Sequence, residues 1–369
     1  GQWNRPIGVT QPDRTHAALV RRAMSASLRD GDATRIQAVA DVALDSGQGD
    51  VLRREAMETI RQWPAPLPRE RVQGRYRPVE GVRDVAGWKA VMERTLPALA
   101  ESDQVVAIPA RAIAEEHGIA LDPAMLFKTL EDESIEVAQR VSTLRLLTRR
   151  EESRERAIDL AMNSVAALRA EGLLAMSLHD PVEALPLARE AIDSDDLSWR
   201  RAGIESLAII DQSEAEELLL DRLNAIEGEH PAVALDVLEA ARRRGGMNLT
   251  PAVRKWSEGS EGAMAPAYAM TDEGGDASRG RDLVFYHAGA SCLRCHVIDG
   301  TGGAAGPDLS DVGRRLDTTS IVRSLLEPQA EVAEGYGEAS AMPAMATYLT
   351  PMQIRDVVAY LQTLKPESN

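Results

Sequence analysis

The sequence predicts an all-α fold in two parts: a long α-solenoid of helical hairpins over residues 1–246 and a small helical module over 276–369, joined by a linker at 247–275. Three observations carry this. The composition is 44% hydrophobic but only 4% aromatic, which suits stacked helices rich in Ala and Leu. Ala110, Val141, Gly172, Gly203 and Ala234 recur 31 residues apart, each inside a run with helical spacing. Both of the chain's cysteines fall in one pentapeptide, Cys292-Leu293-Arg294-Cys295-His296.

The period is supported by a second register. Leu130, Ala161, Ile192 and Leu223 repeat at the same interval, in the helices that precede the four later runs. Ala114, Arg145, Met176, Leu207 and Leu238 follow the first register four residues on, and only Arg145 breaks its apolar pattern. Each repeat thus reads as a hairpin, with small residues on its second helix letting neighbouring hairpins approach. Breaks fall at Asp122-Pro123, Asp180-Pro181 and His230-Pro231, where proline suits a first helical turn. The pattern is that of a HEAT or armadillo solenoid, somewhat short in period. A non-repetitive helical bundle is the alternative.

Helices around Asp13–Ser46 and Val51–Trp63 are expected to start the stack, and another runs from Val85 to Leu99. Between them lies an irregular, proline-rich excursion at 63–84, with Trp63-Pro64, Pro66, Pro68 and Gly74-Arg75-Tyr76-Arg77-Pro78. After the repeats, Arg242–Arg244 and Gly245-Gly246 end the last helix, and a Gly/Ser/Glu-rich linker follows, either mobile or packed. The module opens with a helix from Ala277 to His287 and closes with one from Thr350 to Lys365, whose Ile354, Val357, Val358, Tyr360 and Leu361 stand at helical spacing.

The pentapeptide has the spacing of a c-type haem attachment site. Two thiols three positions apart on one turn can each add to a haem vinyl group, and the adjoining imidazole then reaches the iron from the same face. Other readings fit less well. A structural zinc site needs four ligands, and the chain has no further cysteine and only His287 nearby. A thioredoxin-like redox pair needs a strand-to-helix context, which is missing; a disulfide or two buried thiols remain open. The cofactor expected is one covalent haem c held by Cys292 and Cys295, with His296 as iron ligand.

These residues, the glycine-rich loop Gly302-Gly303 and Gly306-Pro307-Asp308-Leu309, and Met342-Pro343-Ala344-Met345 resemble the small class I cytochromes c. The resemblance implies that Gly306 and Leu309 lie against the haem. It implies also that the Pro307 carbonyl accepts a hydrogen bond from the proximal histidine's second ring nitrogen; an ordinary turn proline is the plain reading. The distal ligand of such proteins is the methionine directly before proline, eight residues ahead of a helix-capping Ser or Thr. Met342 and Thr350 match, which leaves Met345 to core packing. Met345 or His287 could ligate instead, though His287 stands too near the attachment site to swing over the distal face. Gly280 and Tyr360 correspond to the glycine and aromatic at which the first and last helices cross.

Across the whole chain the sequence resembles the C-terminal part of the Planctomycetes and Verrucomicrobia-type haem-binding proteins, in which helical repeats precede a small cytochrome c. Gly280–Phe285, Cys292–His296, Gly306–Leu309, Ser324-Leu325-Leu326-Glu327-Pro328 and Met342-Pro343 carry this, with the Trp63–Pro78 stretch. Such proteins often place a sugar-dehydrogenase-like β-propeller ahead of the repeats. No propeller is read here, so a natural short form or a fragment is expected, and the Gly1 start favours a processed or truncated chain.

Haem c is attached outside the cytoplasm, so a periplasmic or otherwise extracytoplasmic protein is expected. No run of 18 apolar residues exists to span a membrane. A net charge of −16 argues against nucleic acid and against an anionic bilayer as partner; an acidic solvated surface is the plain reading of it, and it would also suit a redox partner protein with a basic rim. The expected function is electron transfer, with the solenoid docking a partner such as a dehydrogenase. A peroxidase-like haem enzyme with a labile sixth ligand, and an interaction scaffold with a secondary haem, are the alternatives; no histidine-containing distal motif supports the enzyme.

Overall fold

The structure, a computed structural model, describes residues 12–68, 70, 72, 76–79, 81–257 and 266–365, and is mostly helical. The chain divides into two compact units, Gly1–Leu160 and Ala161–Asn369.

The first unit contains α1 (Pro12–Asp30), α2 (Ile36–Leu44), α3 (Asp50–Arg61), α4 (Val85–Ala100), α5 (Gln104–His117), α6 (Pro123–Glu131), α7 (Val137–Thr148) and most of α8 (Glu151–Met162). The helices expected around Asp13–Ser46 are divided at Gly31, which takes φ +81, and at Asp32, whose carboxylate accepts the Thr34 N–H at 2.9 Å. Helices pair as α2 with α3, α4 with α5 and α6 with α7, and the second members pack in series, α3 on α5 and α5 on α7. Arginines seal helix ends whose last carbonyls have no helical partner. Arg53 Nε donates to Ala43 O and Arg140 Nε to Leu130 O, both at 2.9 Å, and Arg111 Nη2 donates to Ala100 O at 2.6 Å. Arg111 is 1% exposed, and burial pulls its guanidinium down to about 10. In the excursion, Trp63 is buried and the Arg77 N–H bonds Pro68 O at 2.8 Å; Gly74 and Arg75 lie outside the described residues.

The second unit contains α9 (Ala166–His179), α10 (Pro181–Ala191), α11 (Leu197–Ile209), α12 (Ser213–Asn224), α13 (Pro231–Arg244), α14 (Leu249–Ser257), α15 (Ala277–Tyr286), α16 (Val312–Arg315), α17 (Thr318–Leu326) and α18 (Pro351–Thr363). Here α9, α11 and α13 pack in series, with α10 on α11 and α12 on α13. Asp180 and His230 cap α10 and α13, each followed by proline in the first turn. The positions spaced 31 residues apart fall on α5, α7, α9, α11 and α13. At Gly172 and Gly203 the missing side chain serves a different contact from the one expected. A Cβ on Gly203 would come within 2.7 Å of Ala191 Cβ and 2.9 Å of Ala188 O, both on α10. The close approach is therefore inside a hairpin, whose two helices are held together by the short turn at 192–196, and not between successive hairpins.

Of the joining segment, residues 258–265 lie outside the described residues, and the helix and turn on either side of them make packing contacts. α14 rests on α12 and α13, and one 3-10 turn, Pro266–Met270, touches α13, α14 and α18. In the C-terminal module α15 crosses α18 at Gly280, where a Cβ would overlap the carbonyl oxygen of Asp356 and stand 2.9 Å from Tyr360 Cβ. The crossing covers a core of Val284, Ile321, Leu325, Ile354, Val357, Val358 and Leu361. Two short strands, β1 (Val297–Ile298) and β2 (Thr301–Gly302), pair antiparallel with Val297 opposite Gly302. The Asp299-Gly300 turn between them has φ +49 and +74, the left-handed pair that a two-residue hairpin demands.

Candidate functional site

The pentapeptide is one tight turn hung from the end of α15. His287 ends that helix, and Ser291, at φ +45, redirects the chain, its hydroxyl donating to Ala288 O at 2.6 Å. A 3-10 turn Cys292–Arg294 follows, and both Cys295 N–H and His296 N–H return to Cys292 O, at 3.1 and 3.0 Å. Cys292 is half-buried and packs on the module's core, while Cys295 is exposed; neither is in a disulfide. Burial pushes the Cys292 thiol up to about 11. It is neutral at pH 7, the opposite of the depressed value that marks a reactive redox thiol.

The glycine-rich loop is lashed to this turn by backbone bonds: Gly303 N–H to Leu293 O at 2.9 Å, Gly306 N–H to Cys295 O at 2.7 Å, and Leu309 N–H to Val297 O at 2.9 Å. Side chains at Gly302 and Gly303 would overlap the carbonyls of His296 and Arg294. A Cβ on Gly306 would come within 2.8 Å of the His296 ring. The loop's glycines thus let it lie against the histidine's own segment. Its outcome is a contact of 2.8 Å between His296 Nδ1 and Pro307 O. The carbonyl only accepts, so Nδ1 carries the proton and Nε2 keeps the lone pair that can bind iron.

The two methionines are placed differently. Met342 is half-buried against the core, its N–H donated to Ser340 Oγ at 3.1 Å. Met345 is 3% exposed, inside the core, and heads the turn Met345–Thr347, with its carbonyl taking the Tyr348 and Leu349 N–H groups at 2.9 and 2.8 Å. Thr350 caps α18 in a capping box with Gln353. Tyr360 is buried at the helix crossing, its ring edge-on to Phe285 with centroids 6.4 Å apart. His287 Nδ1 accepts the Ala290 N–H at 3.1 Å, and burial lowers its pKa.

Two contributors escape sequence reasoning. The Gln329 amide clamps Ser340 both ways, donating to its carbonyl at 2.6 Å and accepting its N–H at 3.1 Å, which closes the loop leading to Met342. The Tyr268 hydroxyl, from the joining segment, reaches Ala346 O and Leu349 O at 3.4 and 3.3 Å. Neither belongs to a motif; Gln329 meets Ser340 across a loop, and the partners of Tyr268 lie 78 and 81 residues along the chain.

Paired thiols on one turn, an imidazole with its outer nitrogen engaged and a glycine whose side chain would strike that ring form the donor set and cradle that a covalent haem fits. Among the described residues, no group of three or more His, Cys, Asp or Glu is placed to hold a metal ion in their stead. No curated protein and no solved structure matches the chain. Residues 278–365 match the family model for cytochrome c, a span that includes the pentapeptide, the Pro307 loop, both methionines and α18. The chain therefore carries, at its C-terminal end, a cytochrome c domain of the kind that binds c-type haem and transfers electrons.

Proposed function

We propose that the protein is an extracytoplasmic electron carrier with one haem c, bound through Cys292 and Cys295 and ligated by His296 and Met342. Gly306, Pro307 and Leu309 would line the haem, and Tyr360 would stiffen the helix crossing behind it. The observation that carries this reading is the His296 Nδ1 to Pro307 O contact at 2.8 Å, which presents Nε2 as ligand. When bound, haem supplies a one-electron ferric/ferrous couple. The chain's own residues orient the imidazole, hold a thioether loop by the Gln329–Ser340 clamp, and surround both with apolar side chains.

We read the serially packed hairpins as an α-solenoid that docks a redox partner, such as a dehydrogenase or a β-propeller domain or subunit, in the manner of the Planctomycetes and Verrucomicrobia-type proteins. Cytochrome c domains are typically extracytoplasmic. Among the described residues no helix is long and apolar enough to cross a membrane. Mass spectrometry of the acid-denatured chain and a visible spectrum with and without reductant test the proposal. The expected result is one haem added to the polypeptide mass and reversible reduction. The bare polypeptide mass after expression with a haem-attachment system would overturn it.

A further inference from the structure

The joining segment reaches the loop that carries the two methionines. Tyr268 stands ten residues before the cytochrome c match begins, yet its ring packs on the core of the C-terminal module. Its hydroxyl lies between two backbone carbonyls, those of Ala346 and Leu349, which belong to and follow the turn headed by Met345. Burial raises its pKa, so it is a protonated donor at neutral pH.

Tyr268 is itself held. Thr271, fully buried, donates its hydroxyl to Tyr268 O at 2.8 Å. Beyond it, Gly274 O accepts from Arg201 of α11 at 2.6 Å, and the Asp276 N–H donates to Asp356 of α18 at 2.7 Å. The segment is thus tied to a repeat helix and to the last helix of the module, and Tyr268 meets the methionine loop from a fixed base.

We infer that Tyr268 is a positioning residue for the axial-methionine loop: its hydroxyl pins the turn after Met342, so that a segment outside the cytochrome c match sets how firmly the sixth ligand is held. This rests on Met342 as that ligand. Removing the hydroxyl leaves the ring's packing in place but frees the turn, and an added ligand then competes more easily for the iron.

Imidazole titration of the full-length ferric holoprotein, followed by loss of the near-infrared sulfur-to-iron band, tests the inference. Tyr268→Phe should keep its haem and the band without imidazole, yet bind imidazole about two- to tenfold more tightly, the range expected for one hydrogen bond lost. Thr271→Val, which loosens the base beneath Tyr268, should shift affinity the same way and by less. Gly172→Leu, which overpacks the α8–α9 contact on helices that make none of the ties named above, should lower unfolding stability without changing imidazole affinity. Wild-type affinity in Tyr268→Phe, or an equal shift in Gly172→Leu, overturns the inference. Persistence of the band in Met342→Ala overturns the ligand assignment instead, so the two failures are separable.

Discussion

Arg355 of α18 and Asp236 of α13 meet in a two-pronged ion pair, Nη1 to Oδ2 at 2.7 Å and Nη2 to Oδ1 at 3.0 Å, across 119 residues of chain. Arg355 is 1% exposed, and Asp236 also lies 3.3 Å from Arg201 Nε. Within the second unit this pair fastens α18 of the cytochrome c domain to α13. Asp236→Ala would strand a buried guanidinium and is expected to cost about 3–5 kcal/mol, because an uncompensated interior charge is worse than none. Arg355→Met removes the charge and keeps apolar volume, so it should cost clearly less. Equilibrium denaturation of the two variants checks the order; equal costs would mean the charge is not what matters.

The α15–α18 crossing allows no side chain at Gly280, since a Cβ would overlap Asp356 O. Gly280→Ala should push the helices apart, cost about 3 kcal/mol or more, and lower the yield of haem-loaded protein. Soret absorbance per polypeptide together with the denaturation midpoint measures both effects. An unperturbed variant would place the helices farther apart than the structure has them.

What was legible in the sequence is what depends on fixed local spacing or, for Pro307, Gly280 and Tyr360, on the resemblance to the small class I cytochromes c. Cys292, Cys295 and His296 sit on one turn, and Pro307 is the carbonyl that meets His296; Thr350 caps α18, and Gly280 and Tyr360 meet where α15 and α18 cross. The positions spaced 31 residues apart fall on α5, α7, α9, α11 and α13, and four of the five, Ala110, Gly172, Gly203 and Ala234, are small and buried. The contact at Gly172 and Gly203 lies inside the hairpin, because a period gives position on a helix and not which neighbour it faces. The Gly/Ser/Glu-rich composition of 247–275 left mobile and packed states alike, and the contacts that hold its described part, Tyr268 to Ala346 and Arg201 to Gly274, lie 78 and 73 residues apart. The hairpin at Asp299-Gly300 carried a usable signal, the Asp-Gly pair, hidden by strands of only two residues.

The close fit at Gly203 gives a graded expectation inside the repeats. A methyl there meets Ala191 Cβ at 2.7 Å, so Gly203→Ala should destabilise by about 1 kcal/mol and Gly203→Leu by about 3 kcal/mol. At Gly172, where the nearest atom is Ala161 Cβ at 3.0 Å and the next is the flexible Met162 thioether at 3.2 Å, alanine should be better tolerated. Unfolding midpoints in the order Gly172→Ala above Gly203→Ala support the register, and the reverse order contradicts it.

The two thioethers are separable because only one is fully committed to the core. Met342→Ala should abolish the near-infrared sulfur-to-iron band at little cost in folding, since Met342 is half-buried. Met345→Ala should retain the band and lose about 2–5 kcal/mol of stability, the usual range for truncating a buried Met. If the band disappears in Met345→Ala and survives in Met342→Ala, the ligand is Met345.

Carrier and enzyme differ in whether the sixth position opens. With His296 and Met342 on the iron, reduced protein at neutral pH should bind carbon monoxide slowly and turn over peroxide weakly. On that ligation the clamp of Ser340 by Gln329 would help hold the position closed, because it fixes the base of the loop two residues before Met342. Gln329→Ala should therefore speed carbon monoxide binding while the haem stays attached and His296 keeps its Pro307 contact. Stopped-flow mixing with wild type and variant measures the difference. Binding complete within the mixing time in the wild type would mean the thioether is labile in the native protein, and the haem-enzyme alternative would then replace the carrier.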